Sequence, residues 1–315
     1  MRRFVIFISL LLCLGISSFA EDVRLGILNG PSCVPVVQLL KKNSGYSYSQ
    51  YADPQGLLPK LLKKEVDVGF LPLNVAAKVY NSSPKSIVFL AVTGNGNIKL
   101  ITKDSSVKQF SDLIGKSVYV AGQGAMPDYL TRYLLKQNDI SYDSKDGVEL
   151  LFSIPTPQLA AQLISGKIEY AVVPEPFATI AREKSSQVIN AIDYQDEYKL
   201  VNGNASFPLT VLVATQEFAE NEPEKVEKFL SDYEKSYKWT LKHATQAGNL
   251  CEKNNLGLAA DIVAKAIPVS NYVYLPALEE RANIEDFLKI LLDFAPESIG
   301  GKLPEAEFYY AKKNP

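Results

Sequence analysis

The residues of this chain that could contact a ligand stand in short loops at the ends of predicted strands. Glu175 is the most informative of them, because it lies in the segment Pro174-Glu-Pro-Phe177. There its carboxylate could accept hydrogen bonds from an amine or a ring N–H of a ligand. It could equally serve only to complement the positive dipole at the start of the following helix. The sequence leaves both interpretations open.

Another set of candidates follows strands that would end at one edge of a parallel sheet. Asn29, Gly30 and Ser32 follow the first predicted strand, and Leu73 and Asn74 follow a later one. In open parallel α/β sheets, ligands bind at the carboxyl ends of the strands, where loops meet helix N-termini. We therefore expect these residues to form one wall of a ligand site, with the alternative that Asn74 is only a helix cap.

The opposite wall is predicted from loops in the middle of the chain. The loop Gly122-Gln-Gly-Ala-Met126 contains small residues whose backbone amides could approach a polar ligand. It is not a dinucleotide fingerprint, because Met126-Pro127 replaces the continuation of that motif. The candidate ligand contacts on this wall are Gly124, Ala125, Met126, Thr156, Glu175 and Phe177.

We predict no catalytic residue, no metal site and no cofactor. His243 is the only histidine and lies on a predicted polar helix, which argues against histidine-based catalysis and against most metal sites. The chain has no Gly-x-Ser-x-Gly nucleophile motif. Cys33 and Cys251 could pair in an exported protein, or could stay free as small buried residues.

The arginines bear on the charge of the ligand. Carboxylates and sulfonates are often bound by a bidentate arginine. The arginines beyond residue 20 all lie outside the predicted ligand loops, and they are Arg24, Arg132, Arg182 and Arg281. We therefore favour a ligand that is neutral, cationic or an aromatic heterocycle. An anion would have to rely on the backbone amides at helix N-termini.

Two stretches of the chain have the same pattern of apolar and polar residues. Residues 57–80 match residues 159–182, with Pro72 aligned to Pro174 at an offset of 174 − 72 = 102 positions. Each stretch predicts an amphipathic helix, a turn, a buried strand, and a proline-containing loop that starts another helix. A repeated unit of this kind predicts two similar lobes.

The alternation of strands and helices predicts an α/β protein with two lobes, each a mostly parallel sheet flanked by helices. Residues 21–98 and 210–315 would form the first lobe, and residues 99–209 a second lobe inserted into it. The chain after residue 217 is predicted to be helical and to cover the first lobe. Two extended segments, 98–102 and 209–213, would join the lobes as a hinge.

The N-terminus predicts export. Arg2 and Arg3 precede an apolar run that is too short to span a membrane, and the small residues Ser18 and Ala20 predict cleavage of a signal peptide after residue 20. Cys13 leaves a membrane-anchored lipoprotein as the alternative. The net charge of −2 gives no electrostatic reason to expect nucleic acid as a partner.

Four segments together resemble one protein family, and they are Ala121-Gly-Gln-Gly-Ala125, residues 159–166, Ala171-Val-Val-Pro-Glu-Pro-Phe177 and residues 209–215. The chain is similar to the extracytoplasmic solute-binding proteins of ABC importers, in particular the group for nitrate, taurine, aliphatic sulfonates and thiamine-pyrimidine precursors. The resemblance covers essentially the whole mature chain. It implies a type II periplasmic-binding-protein fold, with the ligand between two lobes, and it does not identify the ligand.

The resemblance also implies a function and a location. It implies a periplasmic protein, which we expect to be a monomer, that captures a small-molecule ligand by hinge closure and delivers it to an ABC permease in the membrane. An enzyme on the same two-lobe fold and a ligand sensor that docks on a receptor are the alternatives.

Overall fold

The computed structural model describes residues 23–41, 44–142, 144, 146–203 and 205–312. The expected signal peptide, residues 1–20 with Cys13, lies outside these residues, so export and lipidation stay predictions. Within the described residues, no helix is long and apolar enough to cross a membrane.

The strands of the described residues form two sheets. They are β1 Val23–Leu28, β2 Tyr46–Tyr51, β3 Val68–Pro72, β4 Ile87–Asn95, β5 Ile98–Thr102, β6 Ser117–Val120, β7 Glu149–Leu151, β8 Tyr170–Pro174, β9 Ile189–Asp193, β10 Pro208–Thr215 and β11 Tyr272–Pro276. The six-stranded sheet has the order β11-β4-β10-β3-β1-β2, and the five-stranded sheet has the order β7-β6-β8-β5-β9. The sheets are built alike, because β4, β10 and β3 occupy in the first sheet the places of β9, β5 and β8 in the second.

The α/β class is confirmed, and each sheet is mixed, with four strands running in one direction and the remaining strands running against them. In the first sheet β1 runs parallel to β2 and β3, whereas β10 runs antiparallel to β3 and β4. In the second sheet β5 runs antiparallel to both β8 and β9. β5 and β10 are the first strands after the chain has passed from one sheet to the other. Each runs antiparallel to the two strands beside it.

Helices flank both sheets. The α-helices of the described residues are α1 Pro54–Leu62, α2 Leu73–Ser82, α3 Met126–Gln137, α4 Thr156–Ile164, α5 Phe177–Lys184, α6 Tyr194–Val201, α7 Gln216–Asn221, α8 Pro223–Lys242, α9 Ala244–Lys253, α10 Ala260–Ala266 and α11 Arg281–Phe294. Short 3-10 helices occupy Pro31–Leu39, Phe110–Leu113, Ile267–Val269, Pro296–Ser298 and Ala306–Phe308. The 3-10 helix Phe110–Leu113 is a single turn, and α6 was not predicted from the sequence.

The repeated unit has the same boundaries in both copies. The bounds of α1 and β3 become those of α4 and β8 when the offset of 102 is added. Both helices end in the same turn, since Lys64 and Gly166 have φ of 59° and 75° and donate their amides to Leu61 O and Leu163 O. The left-handed position after a helix favours glycine, so only the second copy has the residue type that this turn prefers.

The chain passes between the sheets twice, and the two crossings contact each other. The first runs through Gly96 and Asn97 between β4 and β5, and the second leads from α6 into β10. The Gly96 N–H donates to Phe207 O over 3.0 Å, and Asn271 Nδ2 donates to Gly96 O. The Phe207 ring lies so close that a Cβ added to Gly96 would be 1.9 Å from its Cζ. The two crossings therefore form one packed joint.

The C-terminal region packs on the first sheet but is not entirely helical. Helices α8 and α9 contact the 3-10 helix Pro31–Leu39, and their apolar residues belong to one buried cluster with those of β1. The expectation of a tail without strands is wrong, because β11 pairs with β4 at the edge of the sheet. Its five residues, Tyr272-Val-Tyr-Leu-Pro276, are too few for a period-two pattern to stand out between helical stretches.

The two cysteines among the described residues form no disulfide bond. Cys33 and Cys251 are buried, and Cys33 Sγ lies 2.8 and 3.1 Å from the carbonyl oxygens of Leu28 and Gly30, either of which can accept its one proton. Burial raises the pKa of both thiols, so the protonated form is favoured. These contacts support the interpretation as small buried residues over a disulfide.

Candidate functional site

A cavity of about 270 Å³ lies between the two sheets. Asn29 and Ser32 line it after the end of β1, and Pro72 and Pro174 line it at the ends of β3 and β8. The segments next to the crossings contribute Gly94, Asn97, Leu209 and Thr210. Because residues of both sheets line the cavity, a ligand held here would contact both halves of the molecule at once.

Three of the predicted ligand residues line this cavity, and they are Asn29, Ser32 and Glu175. Gly30 lies between the first two and has φ of 112°, a backbone conformation that glycine adopts readily. The turn after β1 therefore brings two polar side chains to the cavity. It needs a glycine at position 30, because a residue with a side chain would be strained at this φ.

Other predicted residues lie outside the cavity lining. Leu73 and Asn74 are buried in the first turn of α2, and Met126 is buried in the core. Thr156 and Phe177 begin α4 and α5 and are half-buried. As ligand contacts, these five residues stay predictions.

The backbone amides of the glycine-rich loop before α3 have partners within the protein. Gly124 N donates to Asp128 Oδ2 at 2.9 Å, and Ala125 N donates to Gly122 O at 3.1 Å. The loop residues are absent from the cavity lining. In this arrangement of the loop both amides are used within the protein, and ligand contact by Gly124 and Ala125 stays a prediction.

Glu175 has two carboxylate oxygens in different situations. The residue is fully buried at the end of β8 and lines the cavity. Its Oε2 accepts a hydrogen bond from Thr179 N at 2.9 Å, within the first turn of α5, whereas its Oε1 is buried and has no hydrogen-bond partner. Oε2 therefore has the role at the start of the helix, and ligand contact through Oε1 stays a prediction.

Burial also affects the proton of Glu175. Desolvation raises the pKa of its carboxyl group above the ordinary value, and the hydrogen bonds from Thr179 and the charges of Arg182 and Lys99 oppose this rise. Lys99 is itself ion-paired with Asp193, and Arg182 donates to Thr179 Oγ1 at 3.4 Å. The carboxylate is thus costly to keep ionised without a further partner.

Asn97 is a site residue that sequence reasoning missed. It is 8% exposed, lines the cavity, and its Oδ1 is buried without a hydrogen-bond partner. Its backbone oxygen accepts a hydrogen bond from Glu175 N at 3.0 Å. The available signal was the break at Gly94-Asn-Gly-Asn97, which predicted a connection between strands but not which way a side chain would face.

Three buried hydroxyl groups of the lining already donate to the backbone. Tyr272 donates to Pro31 O at 2.8 Å, Ser270 to Ala266 O at 2.7 Å, and Thr93 to Thr210 O at 3.3 Å. A hydroxyl group has one proton, so while these bonds last, the three groups can only accept hydrogen bonds from a ligand. Burial also raises the pKa of Tyr272, which keeps its proton in place.

The charged side chains of the cavity lining are acidic. They are Asp53 and Glu175, and the exposed Asp53 caps α1 by accepting a hydrogen bond from Gly56 N at 3.0 Å. Within the described residues, no lysine or arginine belongs to the lining. Bidentate recognition of an anionic group by arginine is therefore not available in this cavity.

The described residues contain no group of three or more histidine, cysteine, aspartate or glutamate side chains that could hold a metal ion. His243 follows α8, stacks on Trp239 with ring centroids 5.0 Å apart, and has its Nδ1 2.9 Å from Trp239 O. It is outside the cavity lining.

Comparisons with known proteins give a family and a fold. A sequence profile of the NMT1-like family matches residues 45–251, which is more than half of the chain. A comparison with curated proteins found no match. The family assignment therefore comes from the profile, and the fold comes from solved structures.

Similar solved structures are those of ABC-transporter and periplasmic binding proteins. An ABC transporter protein of Parabacteroides distasonis has a TM-score of 0.79 and 24% identity, covering 93% of this chain and 100% of its own. The aliphatic sulphonate binding protein SsuA of Escherichia coli has a TM-score of 0.69 and 17% identity, covering 93% and 95%. The nitrate-binding protein NrtA of Synechocystis PCC 6803 has a TM-score of 0.62 and 12% identity, covering 87% and 82%. These likenesses show that the chain has the two-lobe fold of periplasmic binding proteins.

Proposed function

This chain belongs to the NMT1-like family, and from that premise we propose that it is an extracytoplasmic solute-binding protein. It captures a small molecule between its two lobes and does not change it chemically. The observation that carries the proposal is the cavity of about 270 Å³ that residues of both sheets and both crossings line. Cavities for small ligands are concave, largely preformed, and typically about 300 to 1,000 Å³, so this one suits a small solute.

The proposed mechanism is hinge closure around the packed joint of Gly96 and Phe207. Residues 21–98 with 210–315 move as one body and residues 99–209 as the other, while a few backbone torsions at the two crossings absorb the change. Closure excludes water from the ligand and strengthens its polar contacts. Because Asn97 lies in a crossing and Glu175 bonds to it, a ligand at these residues biases the hinge directly.

The proposed partner is the permease of an ABC importer. The closed form presents a surface made of both lobes, and that surface exists only while a ligand holds the lobes together. On this proposal the mature protein starts after residue 20, is a monomer, and works in the periplasm. Similar folds among proteins named for sulphonate and nitrate binding support the role of solute binding. They do not identify the ligand of this chain.

The test combines native mass spectrometry with X-ray scattering on residues 21–315. Freshly purified protein is expected to carry a small molecule in a one-to-one ratio, and the radius of gyration is expected to fall when the emptied protein is reloaded. Absence of any bound solute together with an unchanged radius of gyration would contradict the proposal. Conversion of the solute by the purified protein would favour the enzyme alternative instead.

A further inference from the structure

We propose that the solute of this cavity is a small organic cation with N–H donors, such as a primary amine, an amidine or a guanidine, which Glu175 and Asn97 bind. This inference rests on the proposed function, since it names the chemical class that the same site takes. It predicts in addition that oxyanions are rejected.

The first step concerns two acceptor atoms that have no partner within the protein. Glu175 Oε1 and Asn97 Oδ1 are both buried and unpartnered, and both residues line the cavity. Buried polar atoms without a hydrogen bond are uncommon in folded proteins, and each costs free energy. Of the fourteen such atoms among the described residues, these two belong to residues of the cavity lining. The Glu175 N to Asn97 O hydrogen bond joins the two residues, so one bound group could supply the donors that both atoms lack.

The second step concerns the donors that an anion would need. The buried hydroxyl groups of Thr93, Ser270 and Tyr272 already donate to backbone oxygens. Within the described residues, the neutral side-chain donors left in the lining are the amides of Asn29 and Asn97 and the hydroxyl groups of Ser32 and Thr210. An oxyanion placed beside Glu175 would therefore lose its water without gaining a charged donor.

The third step concerns charge. The ionisable groups of the lining other than the tyrosine are the carboxyls of Asp53 and Glu175. Lys99 and Arg182 act on Glu175 from β5 and α5, but neither belongs to the lining, and Lys99 is paired with Asp193. A ligand cation in the cavity would pair with the carboxylate directly, with N–H donors that complete both empty acceptors.

The test uses pairs of probes that have the same carbon frame and opposite charge. Benzamidinium is compared with benzoate, and propylammonium with propanesulfonate, by calorimetry on emptied residues 21–315 at matched ionic strength. Tetramethylammonium tests a cation that has no N–H donor. Probes of this size are expected to bind with dissociation constants on the order of 1 mM or below. The variants are Glu175→Gln and Asn97→Ala, with Glu169→Gln as control, because Glu169 is exposed next to the other end of β8.

The expected result is binding of at least one N–H cation and of neither anion. Glu175→Gln should weaken that binding at least about tenfold, since it removes one charge of a desolvated pair, Asn97→Ala should weaken it less, and Glu169→Gln should leave it unchanged. Tighter binding of an anion, equal binding of tetramethylammonium, no binding of either N–H cation, or an unaffected Glu175→Gln variant would overturn the inference. A co-purified anion with normal hinge closure would also overturn it while leaving the solute-binding role intact, whereas absence of both solute and closure would overturn the role itself.

Discussion

At the scale of single residues, Glu175 links stability to pH. Its pKa is raised in the folded protein by burial, so folding favours the protonated form. For a carboxyl group of this kind, the free energy of unfolding is highest below the pKa of the group in the unfolded chain, which is about 4.3. It decreases as the pH rises from there through the pKa of the group in the folded protein. Glu175→Gln removes this loss. We expect its melting temperature, measured without ligand, to exceed that of the wild type at pH 7.

The pH series separates this effect from a general change in packing. The difference in melting temperature between Glu175→Gln and the wild type should approach its minimum at pH 4 and grow as the pH rises. Glu169→Gln, at an exposed position, should give no such trend. A difference that is constant from pH 4 to pH 7 would contradict the assigned cause.

A second residue-scale prediction concerns the turn that ends α1 and α4. Gly166 has φ of 75° and open space where a Cβ would lie, so Gly166→Ala adds backbone strain without a clash. We expect it to lower the free energy of unfolding by about 1 kcal/mol in urea denaturation. Lys64→Gly at the equivalent turn should be neutral or stabilising by less than about 1 kcal/mol, because it also removes the exposed Lys64–Glu217 ion pair. Stabilisation by Gly166→Ala would refute the equivalence of the two turns.

Sequence reasoning at this scale found residues that follow a strand directly. Asn29, Ser32 and Glu175 line the cavity because the carboxyl end of a strand fixes where the next residues lie. It did not find Asn97, and it assigned free amides to Gly124 and Ala125. The direction of a side chain in a crossing, and the competition of Asp128 for an amide, depend on tertiary contacts that no local pattern contains.

At the scale of elements, the joint between the sheets depends on a glycine. Gly96→Ala would place a Cβ in contact with the buried ring of Phe207, so the ring or the crossing must shift. We expect a loss of about 1 to 3 kcal/mol in the free energy of unfolding. Gly94→Ala is the control, since its Cβ would meet Thr210 at 3.7 Å, an ordinary contact. Equal losses in the two variants would show that the Phe207 contact is not the cause.

The helices and strands with a regular pattern of apolar residues were the ones that the sequence predicted correctly. The repeat predicted α1, β3, α4 and β8 because each copy has an apolar helix face, a turn and a short buried strand. β11 and α6 were missed because each is short and stands beside stronger signals. The direction of β5 and β10 in their sheets was not predictable either, since a local pattern does not show that a strand returns from another sheet.

At the scale of the whole molecule, α11 connects the two halves behind the joint. Phe287 of α11 packs against Tyr198 and Phe207, with ring centroids 5.8 and 6.1 Å apart. Phe294, at the end of α11, packs against Tyr133 of α3 at 6.2 Å. The C-terminal region thus contacts both the first sheet and helices beside the second. Any hinge motion must keep or remake these aromatic contacts, which favours a small rotation over a wide opening.

A further contact between the halves is the ion pair of Lys265 on α10 with Glu183 on α5. On the proposed function this pair favours the closed form, although both side chains are well exposed, so its contribution is about 0.2 to 1 kcal/mol. Glu183→Lys places two cations together and should weaken solute binding a few-fold. Adding Lys265→Glu restores opposite charges and should recover most of the loss, and 0.5 M salt should reduce both effects.

The matched control is the exposed pair of Asp286 and Lys289, which lies within α11 and spans no gap between the halves. Asp286→Lys creates the same like-charge contact there, and because opening of the hinge does not separate these residues, solute affinity should stay unchanged. Affinity is measured by titration with the co-purified solute, and the closed fraction by scattering at low and high salt. If Glu183→Lys and Asp286→Lys weaken binding equally, the effect is one of net charge. If only Glu183→Lys weakens it and Lys265→Glu rescues it, the contact between α5 and α10 is part of the closure equilibrium, because only a contact made on closing can couple these positions to the ligand.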